Sequence, residues 1–145
     1  MADAPRSATQ RLSRQRARRG TVRDAREMAC VPDTAELAGV RALVRDTVAE
    51  HQVGEVDFAE FVVTELATNA IVHGQSAFTV RVGFAGSSLR IEVTDASDAP
   101  PLLGRHQPAI HGLEMVDKLV HDWGYELHEG GGKTVWAEVP LRRTL

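Results

Sequence analysis

Glu65 and Asn69 are the residues of this chain whose types and spacing lend themselves most readily to chemistry. They stand four apart in a segment, 57–73, whose apolar residues recur at helical spacing. At about 100° per residue both fall close to the direction of Phe58, in the sector that also holds Phe61, Val62, Leu66 and Val72. A carboxylate and a carboxamide inside an apolar stripe cost free energy unless each finds a partner. Two arrangements answer that cost. The pair bonds a loop backbone, or its oxygens face a cleft where Asn69 ligates a hard cation such as Mg²⁺ and Glu65 takes a proton from a nucleophile.

Asp95 is the next candidate, singled out by parity. Leu89, Ile91 and Val93 alternate with Arg90, Glu92 and Thr94, so they share one face of a strand, and Asp95 is the next residue on that face. Its carboxylate either opens an Asx turn or accepts a hydrogen bond from a donor at the strand's end. His73 follows the apolar run of the Glu65 segment and reads as a packed histidine or a C-terminal cap. Other signals fail on spacing. Gly132-Lys133-Thr134 imitates the end of a P-loop, but the first glycine would fall at Leu127 and a strand follows. The six histidines show no His-x-x-x-His spacing, and no Gly-x-Ser-x-Gly elbow is present. Trp123 and Trp136 read as core anchors.

The elements that must position these residues follow from periodicity. A short apolar run at Met28–Val31, stopped by Pro32, reads as a first strand. Asp33 and Glu36 form a capping-box pattern, and Leu37, Val40, Leu43, Val44, Thr47 and Val48 continue as a first helix ending near Gly54. Asp57 and Glu60 repeat the cap pattern and open a second helix, which runs to His73 before Gly74 stops it. Phe78, Val80, Val82 and Phe84 alternate with polar or small residues and pair through a Gly86-Ser87-Ser88 turn with the strand leading to Asp95. Residues 96–110 form a long Pro/Gly/Asp/Ser-rich loop, a lid or binding segment. A third helix is expected from about Gly112 to Trp123, then a hairpin of Tyr125–His128 and Lys133–Leu141 around Gly130-Gly131-Gly132. The fold class is therefore α/β (α+β), a two-layer sandwich with a mostly antiparallel mixed sheet and helices on one face.

The chain has 145 residues and a single cysteine, Cys30. That length fits one globular domain, and no disulfide framework or cysteine-based zinc site is available. No apolar run approaches the ~20 residues of a membrane span, so a cytoplasmic protein with no membrane partner is expected. The net charge of −3 hides an asymmetry: residues 1–26 hold eight arginines against Asp3 and Asp24, while the rest holds nine basic and 18 acidic residues. The expected division is a basic, disordered arm over 1–24 and a folded domain over 25–145. The arm has no aromatic residue to stack on bases, so direct nucleic-acid binding is not expected.

Taken together, Glu65-Leu66-Ala67-Thr68-Asn69-Ala70 with His73-Gly74, then Asp95, Gly112-Leu113 with Val116-Asp117, Trp123-Gly124 and Gly132-Lys133-Thr134-Val135-Trp136 resemble the GHKL ATP-binding domains. More narrowly, the chain resembles the bacterial anti-sigma-factor serine/threonine kinases over about residues 25–141. The resemblance implies the Bergerat sandwich, with ATP and Mg²⁺ as cofactors. It makes Glu65 the catalytic base and Asn69 the Mg²⁺ ligand. Asp95 would bond the adenine amine, Thr134 would help fix the adenine pocket, and His73 and Leu113 would belong to the same nucleotide-binding set. Gly112 would open the helix whose N-terminus meets the phosphates, a role that free N–H groups and the helix dipole suit. A sigma factor and a STAS-type anti-anti-sigma protein are the implied partners, with a homodimer as the implied assembly. The family pattern Asp-x-Gly-x-Gly stands here as Asp95-Ala96-Ser97-Asp98-Ala99, and Gly-x-Gly as Ile110-His111-Gly112. The alternative reading is therefore a non-catalytic module of the same fold, sensing a nucleotide or free of one.

Overall fold

A computed structural model describes residues 22–50, 56–98 and 122–141 of the chain. The first described element is strand β1, Arg23–Cys30, which begins earlier than the expected Met28 because its polar residues still pair along β2, Phe78–Ala85. Pro32, with no N–H to donate, lies just past its end. Asp33 then caps a single 3₁₀ turn, Thr34–Glu36, its Oδ1 accepting from the Ala35 N–H at 2.8 Å. Glu36 reaches back as a capping box requires, but onto the Val31 N–H at 2.8 Å, since the Asp33 N–H already donates to the Val31 carbonyl. Helix α1 follows over Leu37–Ala49 and buries Val40, Val44, Thr47 and Val48. The expected end near Gly54 lies outside the described residues.

Helix α2 spans Asp57–Asn69 and runs on into one wider, π-type turn, Ala70–Gly74. Asp57 is its first residue and not its cap, a place held by Val56 without a side-chain bond. The helix is also rolled relative to the expected stripe. Its buried residues are Ala59, Val62, Val63, Leu66, Ala67, Asn69 and Ala70, while Phe58 and Phe61 are only partly buried and Val72 is exposed. The small alanines cause this, because they let the helix backbone approach the sheet closely, whereas bulky aromatics stand off at the flank. The helix ends at Gln75, whose φ of 54° makes it the left-handed residue in place of Gly74.

Strands β2 and β3, Ser88–Asp95, form the expected hairpin with Phe78 opposite Asp95 and Phe84 opposite Leu89. Ser88 belongs to the strand, so the turn is Gly86–Ser87. Strand β4, Asp122–Leu127, pairs with β5, Lys133–Pro140, and the sheet order is β1-β2-β3-β5-β4. All four described pairings are antiparallel. Trp123, expected to end a third helix, stands in β4 opposite Ala137. Cross-strand pairing and burial of its ring, 2% exposed, decide its conformation over local periodicity. The remainder of that expected helix, 112–121, lies outside the described residues. Both described helices pack on one face of the sheet, α1 against β1 and β2, α2 against β3 and β5. The core lies between the layers, with Val80, Val82, Leu89, Ile91, Val93, Val135, Ala137 and Val139 meeting Val40, Val44, Val62, Val63 and Leu66. This is the expected two-layer α+β sandwich. Among the described residues no helix is long and apolar enough to cross a membrane.

Candidate functional site

Strand parity puts Asp95 on the helix side of the sheet, at the end of β3, where it is 5% exposed. The π-type turn after α2 passes directly over it. A Cβ on Gly74 would lie 3.1 Å from both Cγ and Oδ2 of Asp95, so a larger residue would push the turn and the carboxylate apart by a few tenths of an ångström. The carboxylate makes two sets of bonds within the chain. Oδ1 accepts from the Ser97 N–H at 2.8 Å, the Asx turn expected of it, and both oxygens accept from Lys133 Nζ at 3.0 Å. Both side chains of this ion pair are 1% exposed. Oδ1 is then saturated by two donors, while Oδ2 keeps a lone pair for one more. It is the oxygen beside Gly74.

Sequence reasoning passed over Lys133 because it was read as part of a failed phosphate-loop signal. The register of β3 on β5 sets it directly opposite Asp95 and sets Thr134 opposite Thr94. Thr134 therefore points away from Asp95, to the far face of the sheet, where its Oγ1 shares hydrogen bonds with Thr94 Oγ1 at 2.7 Å and His128 Nε2 at 2.8 Å. The turn before Lys133 is held equally closely. Gly132 has φ +93°, and a Cβ there would meet the Asp95 carbonyl oxygen at 2.6 Å. Its N–H donates to Asp98 Oδ1 at 2.8 Å, so Asp98 ties the segment after β3 to the β4–β5 turn. Ser97 and Asp98 thus make specific bonds at positions where the resembled family pattern carries a glycine or any residue.

Three further candidates lie along α2 and its last turn. Asn69 is 2% exposed, and its Oδ1 is buried with no hydrogen-bond partner. His73, one helical step on and next to Gly74, is half-buried, with Nε2 likewise buried and unpartnered. An oxygen acceptor and an imidazole nitrogen left unsatisfied along the helix end that leads to Gly74 are what a polar ligand site presents, since such groups are normally paired. Glu65 lies one step earlier, half-buried at the flank of the helix and not inside its apolar stripe. Burial raises its carboxyl above the usual glutamate value of 4.5. The structure therefore brings Gly74, Asp95 and Lys133 together at one end of the helix–sheet interface, sets Glu65, Asn69 and His73 along the helix and turn that lead there, and puts Thr134 on the opposite face of the sheet. Gly112 and Leu113 lie outside the described residues.

Among the described residues no cluster of three His, Cys, Asp or Glu side chains could hold a metal by itself. Asn69 Oδ1 fits a hard cation as a single protein oxygen, the mode in which Mg²⁺ draws its remaining ligands from water and phosphate. Comparison with solved structures finds the same fold. The chain is similar to the crystal structure of the RsbU and RsbW domains of Rv1364c from Mycobacterium tuberculosis, with a TM-score of 0.61 and 23% identity over 83% of this chain. It spans about a third of that chain's length, 34%. No family model matches the sequence, and no curated protein matches it.

Proposed function

We propose that this chain is an ATP-binding regulatory protein of the anti-sigma-factor type, the counterpart of the RsbW part of the matched structure. In this reading it is a cytoplasmic serine/threonine kinase whose substrate is a STAS-type anti-anti-sigma protein and whose other partner is a sigma factor. The observation that carries the reading is the close packing of the Gly74 turn on the Asp95 carboxylate, with an unpartnered buried Asn69 oxygen at the end of the helix that leads into that turn. Asp95 Oδ2 has one lone pair left, the acceptor that this reading assigns to the exocyclic amine of adenine. Asn69 Oδ1 is the chain's oxygen for Mg²⁺, and the ion would supply charge neutralisation for a triphosphate. Glu65, with its proton affinity raised by burial, accepts the proton of the attacking serine or threonine hydroxyl.

Calorimetric titration with ATP and ADP, with and without Mg²⁺, tests this. Binding that depends on Mg²⁺ and is lost in Asp95→Asn is the expected result, and Asn69→Ala should keep binding while losing the Mg²⁺ dependence. Glu65→Ala should abolish phosphate transfer to the partner with ADP affinity within a few-fold of the parent; a variant that still phosphorylates removes Glu65 from its role. A second reading rests on Lys133. Its ammonium already satisfies most of Asp95, as suits a nucleotide-free interaction module. Absence of binding under every condition would establish that reading in place of the first.

A further inference from the structure

The acceptor assigned to adenine already has a strong donor inside the chain. Lys133 Nζ lies 3.0 Å from both oxygens of Asp95, and each side chain is 1% exposed. Register sets the pair, since β5 places Lys133 directly opposite Asp95 on β3. Oδ1 also takes the Ser97 N–H at 2.8 Å, so one lone pair, on Oδ2, is left without a donor among the described residues. That lone pair is weakened as well. A hydrogen bond to a free carboxylate is about twice as strong as one between neutral groups, and an ammonium in contact with the carboxylate cancels much of that advantage. The 6-amine of adenine is a neutral donor, so beside Lys133 it meets an acceptor whose charge is already matched.

The two partners are not equally fixed. Asp95 is paired on both flanks, with Phe78 of β2 and Lys133 of β5, its Oδ1 is tied to the Ser97 N–H, and the Gly74 turn packs against its carboxyl group. Lys133 is the first strand residue after the β4–β5 turn and follows two glycines at positive φ, Gly131 at 103° and Gly132 at 93°. Among the described residues its ammonium bonds Asp95 alone. A point charge on a flexible four-carbon stem, with a single partner, is the member of the pair that gives way.

We propose that Lys133 sets the affinity of the nucleotide site, its ammonium being an intramolecular competitor for the carboxylate that the 6-amine of adenine must use. The inference rests on Asp95 as the adenine acceptor, and it makes Lys133 a positioning residue that acts through Asp95. Calorimetric titration of the full chain with ATP and Mg²⁺ compares the parent with Lys133→Met and Lys133→Gln; the second keeps a neutral donor for the carboxylate and serves where the first does not fold. Each should bind roughly ten- to a hundredfold more tightly than the parent, the range that one hydrogen bond to a charged group spans. Lys133→Arg keeps the cation and should gain nothing. The gain should vanish for the triphosphate of unsubstituted purine riboside, which lacks the 6-amine, and when Asp95→Asn is added to Lys133→Met. A lysine with a merely structural role would not separate the two nucleotides. Equal ATP affinity in parent and variants overturns the proposal and leaves the nucleotide reading standing, as does a gain shared by the amine-free analogue. Failure of parent and variants alike to bind either nucleotide removes the nucleotide reading, and the proposal with it.

Discussion

Replacing Lys133 by Met strands Asp95. The ammonium lies 3.0 Å from both carboxylate oxygens, and each side chain is 1% exposed, so no water takes its place without rearrangement. Removing one partner of a buried pair costs about 3–5 kcal/mol, mostly as the penalty of leaving the other charge unpaired. For a domain whose total stability is of order 5–15 kcal/mol, that is a large fraction. It corresponds to a fall in Tm of roughly 10–20 °C at this chain length. Methionine keeps the length and apolar stem of lysine, which separates the charge from packing. Urea titration followed by tryptophan fluorescence should show the midpoint fall with the slope unchanged. Adding Asp95→Asn should recover most of the loss, because it removes the stranded charge and keeps an acceptor for the Ser97 N–H. A Lys133→Met variant within about 1 kcal/mol of the parent, or a double variant no better than the single one, would refute the reasoning.

Two further outcomes follow from the same site. Burial raises the Glu65 carboxyl above 4.5, so the folded state holds its proton more tightly than the unfolded state does. The associated stability is present below that value and is lost as pH rises through the raised one, which leaves a cost at neutral pH. Glu65→Gln should therefore melt higher than the parent at neutral pH and match it in acid; a gap independent of pH contradicts the assignment. Gly74→Ala puts a methyl 3.1 Å from the Asp95 carboxyl and should cost about 1–3 kcal/mol, read as a lower Tm. An unchanged Tm would mean that the turn has room it is not shown to have.

Much of this protein follows from local pattern. The alternation of Phe78–Phe84 and Leu89–Val93 determined both the hairpin and the face on which Asp95 appears, because side chains of a strand change sides at every residue. The spacing of 57–69 determined a helix carrying Glu65 and Asn69. Its rotation was not legible there, since the large aromatics dominate a hydrophobic pattern while the close approach to the sheet is made by Ala59, Ala67 and Ala70. The end of the expected third helix failed for a related reason. Trp123 becomes a strand residue through pairing with Ala137, fourteen residues on, which a local window cannot weigh.

The candidate site shows the division most sharply. Lys133 and Thr134 are neighbours, and nothing in the sequence says which of them meets Asp95. That is decided by the register of β5 on β3, between residues nearly forty positions apart, and a slip of one residue would exchange them. The sequence by itself determined that a carboxylate closes the strand on the core side and that an asparagine lies on the helix above. Only the tertiary structure decided that the carboxylate's partner is a buried ammonium and that the threonine lies on the other side of the sheet. Register is set by the whole packed face, with Val93 on Val135 and Ile91 on Ala137, and not by the residues at its end.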